Sequence, residues 1–264
     1  MYLKFNLPWG NSEEIKDRLD HLLRDIPDNY RYSLNESSIP STLDSLKQYV
    51  IRRSTKSCLL DGDLIQKEWF PSYYPDIFLS HSGKDDKLAR KIQSILKKAG
   101  LEVFVDSTVW GCISDLQKEF DEKYCLNPGG LTYSYDKRNN STAAIHMMLS
   151  TALTQVMDQS KYLFFLNTSN SNLGEAYANE ELTDSPWIYH ELSTAKVLRQ
   201  NRQFQILLES RAVDTAKITH NIPLDDFVNL DFTHFAWWIN SLRPGDADEQ
   251  FWGLLAAIKD TGNQ

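Results

Sequence analysis

The sequence is poor in the residues that build disulfide frameworks and zinc sites. It has three cysteines in 264 residues, namely Cys58, Cys112 and Cys125. They form no CxxC pair and no Cys/His cluster with metal-ligand spacing. We therefore expect neither a disulfide-stabilised fold nor a metal site, and the composition favours a reducing cytoplasm.

Long apolar runs and an excess of basic residues are also missing. No stretch approaches the roughly 20 apolar residues that span a bilayer, and residues 1–10 lack the pattern of a signal peptide. The net charge is -8, which disfavours nonspecific binding to a phosphate backbone because such binding needs clustered cations. The sequence predicts a cytoplasmic protein that binds neither membrane nor nucleic acid.

Several motifs for nucleotide and peptide chemistry are absent. There is no G-x-G-x-x-G after a strand pattern, no G-x-x-x-x-G-K-[ST] loop and no H-E-x-x-H. No G-x-S-x-G elbow surrounds Ser82, so a hydrolase nucleophile is disfavoured there. These absences predict that no nucleotide is held as a redox cofactor.

Residues 1–75 predict an ordered, mostly helical extension. Leu3 and Phe5 alternate with polar residues as in a short strand, which Pro8-Trp9-Gly10 ends. Apolar residues then recur at helical spacing over 15–26 and again over 43–51.

From residue 76 onward, short apolar runs alternate with amphipathic stretches, as in βαβ units around a parallel sheet. The predicted strands cover 76–80, 101–105, 162–166 and 204–208, and the main predicted helices cover 84–99, 116–124, 141–159 and 186–198. Residues 107–140 are less regular, with loops over 127–130 and 137–140, and are interpreted as an insertion. The sequence thus predicts one α/β domain over 76–264 with this insertion and a C-terminal helical segment.

Three segments carry a family resemblance. Residues 76–82 (DIFLSHS), 103–106 (VFVD) and 185–192 (SPWIYHEL) resemble, in order, the signature segments of the TIR (Toll/interleukin-1 receptor) domain family, over about residues 74–210. The bacterial members that look most similar are the TIR proteins of Thoeris-like antiphage defence.

This resemblance implies a flavodoxin-like parallel sheet flanked by helices. It also implies an enzyme that cleaves NAD between nicotinamide and ribose, releasing ADP-ribose or a cyclic or conjugated product. Self-association through TIR domains and a downstream effector that senses the product are implied as partners. Two alternatives remain: a noncatalytic TIR scaffold, and a nucleoside deoxyribosyltransferase-like enzyme.

The resemblance places the catalytic role on Glu191, because the family's essential glutamate stands four positions after a tryptophan and Glu191 stands four after Trp187. Nicotinamide is already cationic in NAD, so its departure needs no general acid, and one carboxylate can stabilise the ribosyl cation. Trp187 lies one helical turn away and could stack on a base. The alternatives are an ordinary exposed glutamate and a core tryptophan.

Five further residues are predicted to bind substrate. His81, Ser82 and Lys84 follow the first strand of the predicted sheet, and Asp106 and Trp110 follow the second. Open α/β sheets bind ligands at the carboxyl ends of their strands. The alternatives are that Asp106 caps a turn and that Trp110 packs beneath the insertion.

Overall fold

The computed structural model describes residues 3–10, 12–23, 49–53, 58–98, 100–110, 113–173, 181–198, 219–241, 251–255 and 258. The chain divides into two compact units. The first, called the sheet unit, comprises Met1–Ser33, Tyr74–Val105 and Met157–Gln264. The second, called the accessory unit, comprises Leu34–Tyr73 and Asp106–Val156.

The elements are numbered in chain order. The strands are β1 (Leu3–Gly10), β2 (Val50–Arg53), β3 (Cys58–Leu60), β4 (Ile77–Ser80), β5 (Val103–Phe104), β6 (Tyr162–Thr168), β7 (Leu182–Thr183), β8 (His220–Asn221) and β9 (Val228–Asn229). The helices are α1 (Ser12–Leu23), α2 (Gly62–Trp69), α3 (Asp86–Lys98), α4 (Asp106–Val109), α5 (Ile113–Tyr124), α6 (Tyr135–Gln159), α7 (Pro186–Leu198) and α8 (Phe232–Ser241).

The sheet unit is built on a parallel sheet of five strands in the order β5-β4-β6-β1-β9. All seven residues of β6 are buried, as expected for an apolar strand covered on both faces. One core face joins residues of β1, β4 and β6 to apolar residues of α1, α3 and α8. The predicted α/β fold, a flavodoxin-like parallel sheet flanked by helices, is confirmed.

The strand order places a topological switch point between β4 and β6. From β4 the chain moves outward to β5 and then returns to the other side of β4 as β6. If β4 is counted as the first strand, the order β5-β4-β6-β1-β9 corresponds to the 2-1-3-4-5 order of a doubly wound sheet. Strand β1 then occupies the place of the fourth strand. The predicted strand over 204–208 lies outside the described residues. Ligands of such sheets bind at the carboxyl ends of the strands beside the switch point.

The position of β1 differs from the prediction of an N-terminal extension. It pairs with β6 on one side and β9 on the other, inside the sheet. The strand also continues through Pro8-Trp9-Gly10 instead of ending there, and its polar residues Lys4 and Asn6 are buried. Lys4 pairs with the Asp226 carboxylate, and Asn6 Nδ2 donates to Asn229 Oδ1 at 2.8 Å. Buried polar groups need such partners, and these come from the far end of the chain.

The boundary predicted at residue 75 and the insertion predicted over 107–140 also differ from the structure. Residues 34–73 form one unit together with residues 106–156. The loop predicted over 137–140 lies within α6, because the polar run over 136–140 is an exposed helical turn and not a loop. Val50 and Ile51 were predicted to be helical but lie in β2, which suits β-branched side chains.

The other predicted helices of the described chain are confirmed, with ends that move by a few residues. Helices α3, α5 and α7 match the predictions over 84–99, 116–124 and 186–198. Within the described residues, no helix is both long enough and apolar enough to cross a bilayer.

Asp231 caps α8, and we expect its removal to destabilise the sheet unit. Its Oδ1 accepts hydrogen bonds from the backbone N–H groups of Thr233 (2.8 Å) and His234 (3.0 Å). Burial alone would raise the pKa of Asp231, but the hydrogen bonds from His234 and Thr233 lower it below its ordinary value. Asp231→Ala should lower the free energy of unfolding by about 0.5–2 kcal/mol at pH 7.

The pH dependence of this effect follows from the lowered pKa. A carboxylate with a lowered pKa stabilises the fold above its ordinary pKa, and that stabilisation disappears as pH falls through the lowered value. The difference between wild type and Asp231→Ala should therefore shrink below about pH 4. Urea denaturation at pH 7 and in the acid range measures it, with Asp17→Ala on the exposed side of α1 as the control. An equal difference at both pH values would contradict the prediction.

Candidate functional site

A buried serine–glutamate pair lies at the carboxyl end of β4. Ser80 is the last residue of that strand, and its Oγ donates a hydrogen bond of 2.6 Å to Glu191 Oε2. Ser80 is 1% exposed and Glu191 is 7% exposed. Carboxylates are rarely buried to this extent unless they are paired. The alternative of an ordinary exposed helix glutamate therefore does not describe Glu191.

The sequence of α7 explains why this glutamate faces inward. Pro186 begins the helix, where its missing N–H costs no hydrogen bond, and Ser185 Oγ accepts from the Ile188 N–H at 3.3 Å. Ile188, Leu192 and Ala195 are all buried and recur at helical spacing. Glu191 lies three residues after Ile188, so the apolar face of the helix carries the carboxylate inward.

Trp187 lies one turn before Glu191 on α7 and is partly buried. Residues four apart on a helix are surface neighbours. The stacking role predicted for Trp187 stays a prediction.

A second buried carboxylate joins the segments that follow β4 and β6. Asp85, which is 2% exposed, ends a short 3-10 helix that follows β4. Its Oδ2 accepts from Thr168 Oγ1 at 2.6 Å and its Oδ1 accepts from Asn170 Nδ2 at 2.8 Å. Thr168 is the last residue of β6. These hydrogen bonds fix the two segments on both sides of the switch point.

Three of the predicted binding residues lie between Ser80 and Asp85, at the same end of the sheet. His81 is partly buried, with Nδ1 3.3 Å from the Leu79 carbonyl oxygen. Ser82 caps the 3-10 helix, and Lys84 is exposed. The structure thus places this segment and Glu191 at one edge of the sheet, where the hydrogen bond from Ser80 to Glu191 connects them.

The other two predicted residues belong to the accessory unit. Asp106 Oδ1 accepts from the Ser107 N–H at 2.7 Å. This hydrogen bond agrees with the alternative interpretation, in which Asp106 caps a turn. Trp110 is 2% exposed, and its Nε1 donates to the Pro71 carbonyl at 3.2 Å. Its ring meets Phe70 edge to face at 5.4 Å. The packing alternative therefore describes Trp110, since the indole lies inside the accessory unit.

Ser80, Asp85, Thr168 and Asn170 were not among the predicted site residues. The available signal was the polar run over 167–172, directly after an apolar strand. Such a run at a strand's carboxyl end indicates a binding edge. Among the described residues, no group of three or more His, Cys, Asp or Glu could hold a metal ion.

Comparison with protein-family models, curated proteins and solved structures gives no significant match. The resemblance carried by the three sequence segments therefore stays a prediction.

We expect Ser80→Ala to destabilise the sheet unit by about 1.5–3 kcal/mol, because it removes a hydrogen bond to a buried carboxylate. Urea denaturation measures this loss. In a double-mutant cycle with Glu191→Ala, the two changes should be non-additive, since each removes the same hydrogen bond. Ser94→Ala is the control, because Ser94 is also buried but, among the described residues, donates only to the Arg90 carbonyl oxygen of its own helix. Additive effects would show that the hydrogen bond between the two residues contributes nothing to the free energy of unfolding.

Proposed function

We propose that this chain is a TIR-domain NAD nucleosidase, with Glu191 as its catalytic residue. The observation that carries the proposal is the Ser80–Glu191 pair. It is a buried carboxylate, oriented by a 2.6 Å hydrogen bond, at the switch point of a parallel sheet. Buried and oriented carboxylates concentrate at functional sites, and this edge of the sheet is where ligands bind. The spacing of Trp187 and Glu191 supports the same assignment.

In the proposed reaction, the bond between the ribose C1′ and the nicotinamide nitrogen breaks. Its electron pair leaves with nicotinamide, which becomes neutral, and positive charge develops on the ribosyl centre. The Glu191 carboxylate stabilises this charge, and the Ser80 hydrogen bond keeps it oriented without reorganisation during the reaction. Water then attacks C1′ and gives its proton to solvent, forming ADP-ribose. Attack by a hydroxyl of the same molecule, or of another, would give a cyclic or conjugated product.

The remaining contacts follow from the position of each residue. Trp187 would stack on a base of NAD. The exposed ammonium of Lys84 suits the diphosphate, and His81 and Ser82 flank it on the same segment. We place the activity in bacterial antiphage immunity, with a downstream effector that senses the nucleotide product.

The test is incubation of the purified chain with NAD, followed by detection of nicotinamide and mass spectrometry of the second product. The assay is run over a wide range of protein concentrations. Self-association between different surfaces would make activity rise faster than linearly with concentration. Nicotinamide release by the wild type and by Glu14→Gln, but not by Glu191→Gln, supports the proposal. No release at any concentration would favour the noncatalytic scaffold.

A further inference from the structure

The accessory unit contains a pocket that the proposed NAD chemistry does not use. Its volume is about 310 Å³, and its wall includes Gln117, Lys118, Asp121, Tyr133, Arg138 and His146. These residues come from α5, from the first half of α6 and from the segment between them. The volume is at the lower end of the range of about 300–1,000 Å³ that is typical of small-molecule sites.

Arg138 is held in a fixed geometry at this pocket. Its Nε donates to Asp121 Oδ2 at 2.9 Å, and its guanidinium carbon lies 5.2 Å from the centre of the Tyr133 ring. The side chain is 50% exposed. The two terminal nitrogens of the guanidinium make no hydrogen bond within the described residues. A guanidinium oriented in this way presents a planar fork that matches phosphate or carboxylate oxygens.

The negative charge of Asp121 is compensated within the wall. Besides the bond from Arg138, its Oδ1 accepts from Gln117 Nε2 at 2.8 Å and from Ser141 Oγ at 3.2 Å. Lys118 adds a second cation, whose ammonium lies 4.0 Å from the Glu122 carboxylate. Both oxygens of the buried carboxylate are thus occupied by protein donors, while two cations line the pocket.

Gln117 provides an acceptor that lacks a donor. Its Oε1 is buried and has no hydrogen-bond partner among the described residues. The amide cannot simply flip, because its Nε2 donates to Asp121 and Ser141. Buried polar atoms are normally paired, so a hydroxyl of a bound molecule would complete this wall.

We propose that this pocket binds a small phosphorylated sugar. The phosphate lies on the Arg138 guanidinium and the Lys118 ammonium, and a sugar hydroxyl donates to Gln117 Oε1. This ligand class provides both groups that the pocket calls for, an anion and a hydroxyl donor. The site is separate from Glu191 in sequence and function, so it does not depend on NAD cleavage.

Calorimetric titration of the full chain with ribose 5-phosphate tests the proposal. Methyl phosphate and ribose serve as probes of the phosphate and the hydroxyls alone. We expect ribose 5-phosphate to bind at least about tenfold more tightly than either probe, since each probe lacks one of the two contacts. Arg138→Met should weaken binding at least about tenfold, and Lys118→Met by about threefold or more. Lys137→Met, an exposed cation of α6 outside the pocket wall, and Glu191→Gln should bind as the wild type does.

Lys118 is exposed, so Lys118→Met keeps the test valid if Arg138→Met fails to fold because Asp121 has lost its cation. Two outcomes would overturn the proposal: no binding of ribose 5-phosphate, or binding that Lys118→Met leaves unchanged. Equal affinities for methyl phosphate and ribose 5-phosphate would also overturn it, because they would show that the sugar hydroxyls contribute nothing to binding.

Discussion

The Glu191→Gln variant is expected to release nicotinamide from NAD at least about 100-fold more slowly than the wild type, because it removes a preorganised charge from the reacting centre. The substitution keeps the volume of the side chain, and the amide oxygen can still accept the hydrogen bond from Ser80. The loss should therefore appear in the rate and not in the melting temperature. Nicotinamide formation and thermal unfolding are measured on the same preparation.

The matched control for this variant is Glu14→Gln, which makes the same chemical change on an exposed position of α1. Equal nicotinamide formation by Glu191→Gln and wild type would remove the catalytic assignment. Unfolding of Glu191→Gln, with Glu14→Gln stable, would instead assign Glu191 a structural role.

The Trp110→Ala variant is expected to lose about 3–5 kcal/mol of unfolding free energy, because it leaves a large cavity in a packed interior. Trp110 is 2% exposed and packs on Phe70. Thermal and urea unfolding measure the loss. Trp237→Ala is the control, since that indole is 52% exposed and its removal should have a small effect.

This variant also separates the two interpretations of Trp110. A residue that binds substrate would change the Michaelis constant for NAD and leave the melting temperature almost unchanged. A loss of less than about 1 kcal/mol, within the range of ordinary substitutions, would contradict the packing assignment.

The elements with strong local signals could be predicted from the sequence. The strand Tyr162–Thr168 is a continuous apolar run, and the helix Pro186–Leu198 begins at a proline and carries an apolar face. The candidate Glu191 followed from its spacing to Trp187. These signals lie within a few residues of one another, where periodicity is informative.

The rest depended on contacts between distant parts of the chain. The partners of Lys4 and Asn6 lie 222 and 223 positions away, so the alternation predicted a strand but not its place inside the sheet. Nothing local indicates that residues 34–73 and 106–156 form one unit. Ser80 and Asp85 could not be identified as site residues locally, because their hydrogen-bond partners Glu191 and Thr168 lie in other elements.

The position of β1 has a consequence for how the chain is made. During translation this strand is synthesised long before β6 and β9, the two strands between which it inserts. Pairings over such separations raise the contact order and slow folding. Until its neighbours emerge from the ribosome, β1 has two unpaired edges that can associate with other nascent chains. Chaperones that bind short apolar strands should therefore engage this protein early in its synthesis.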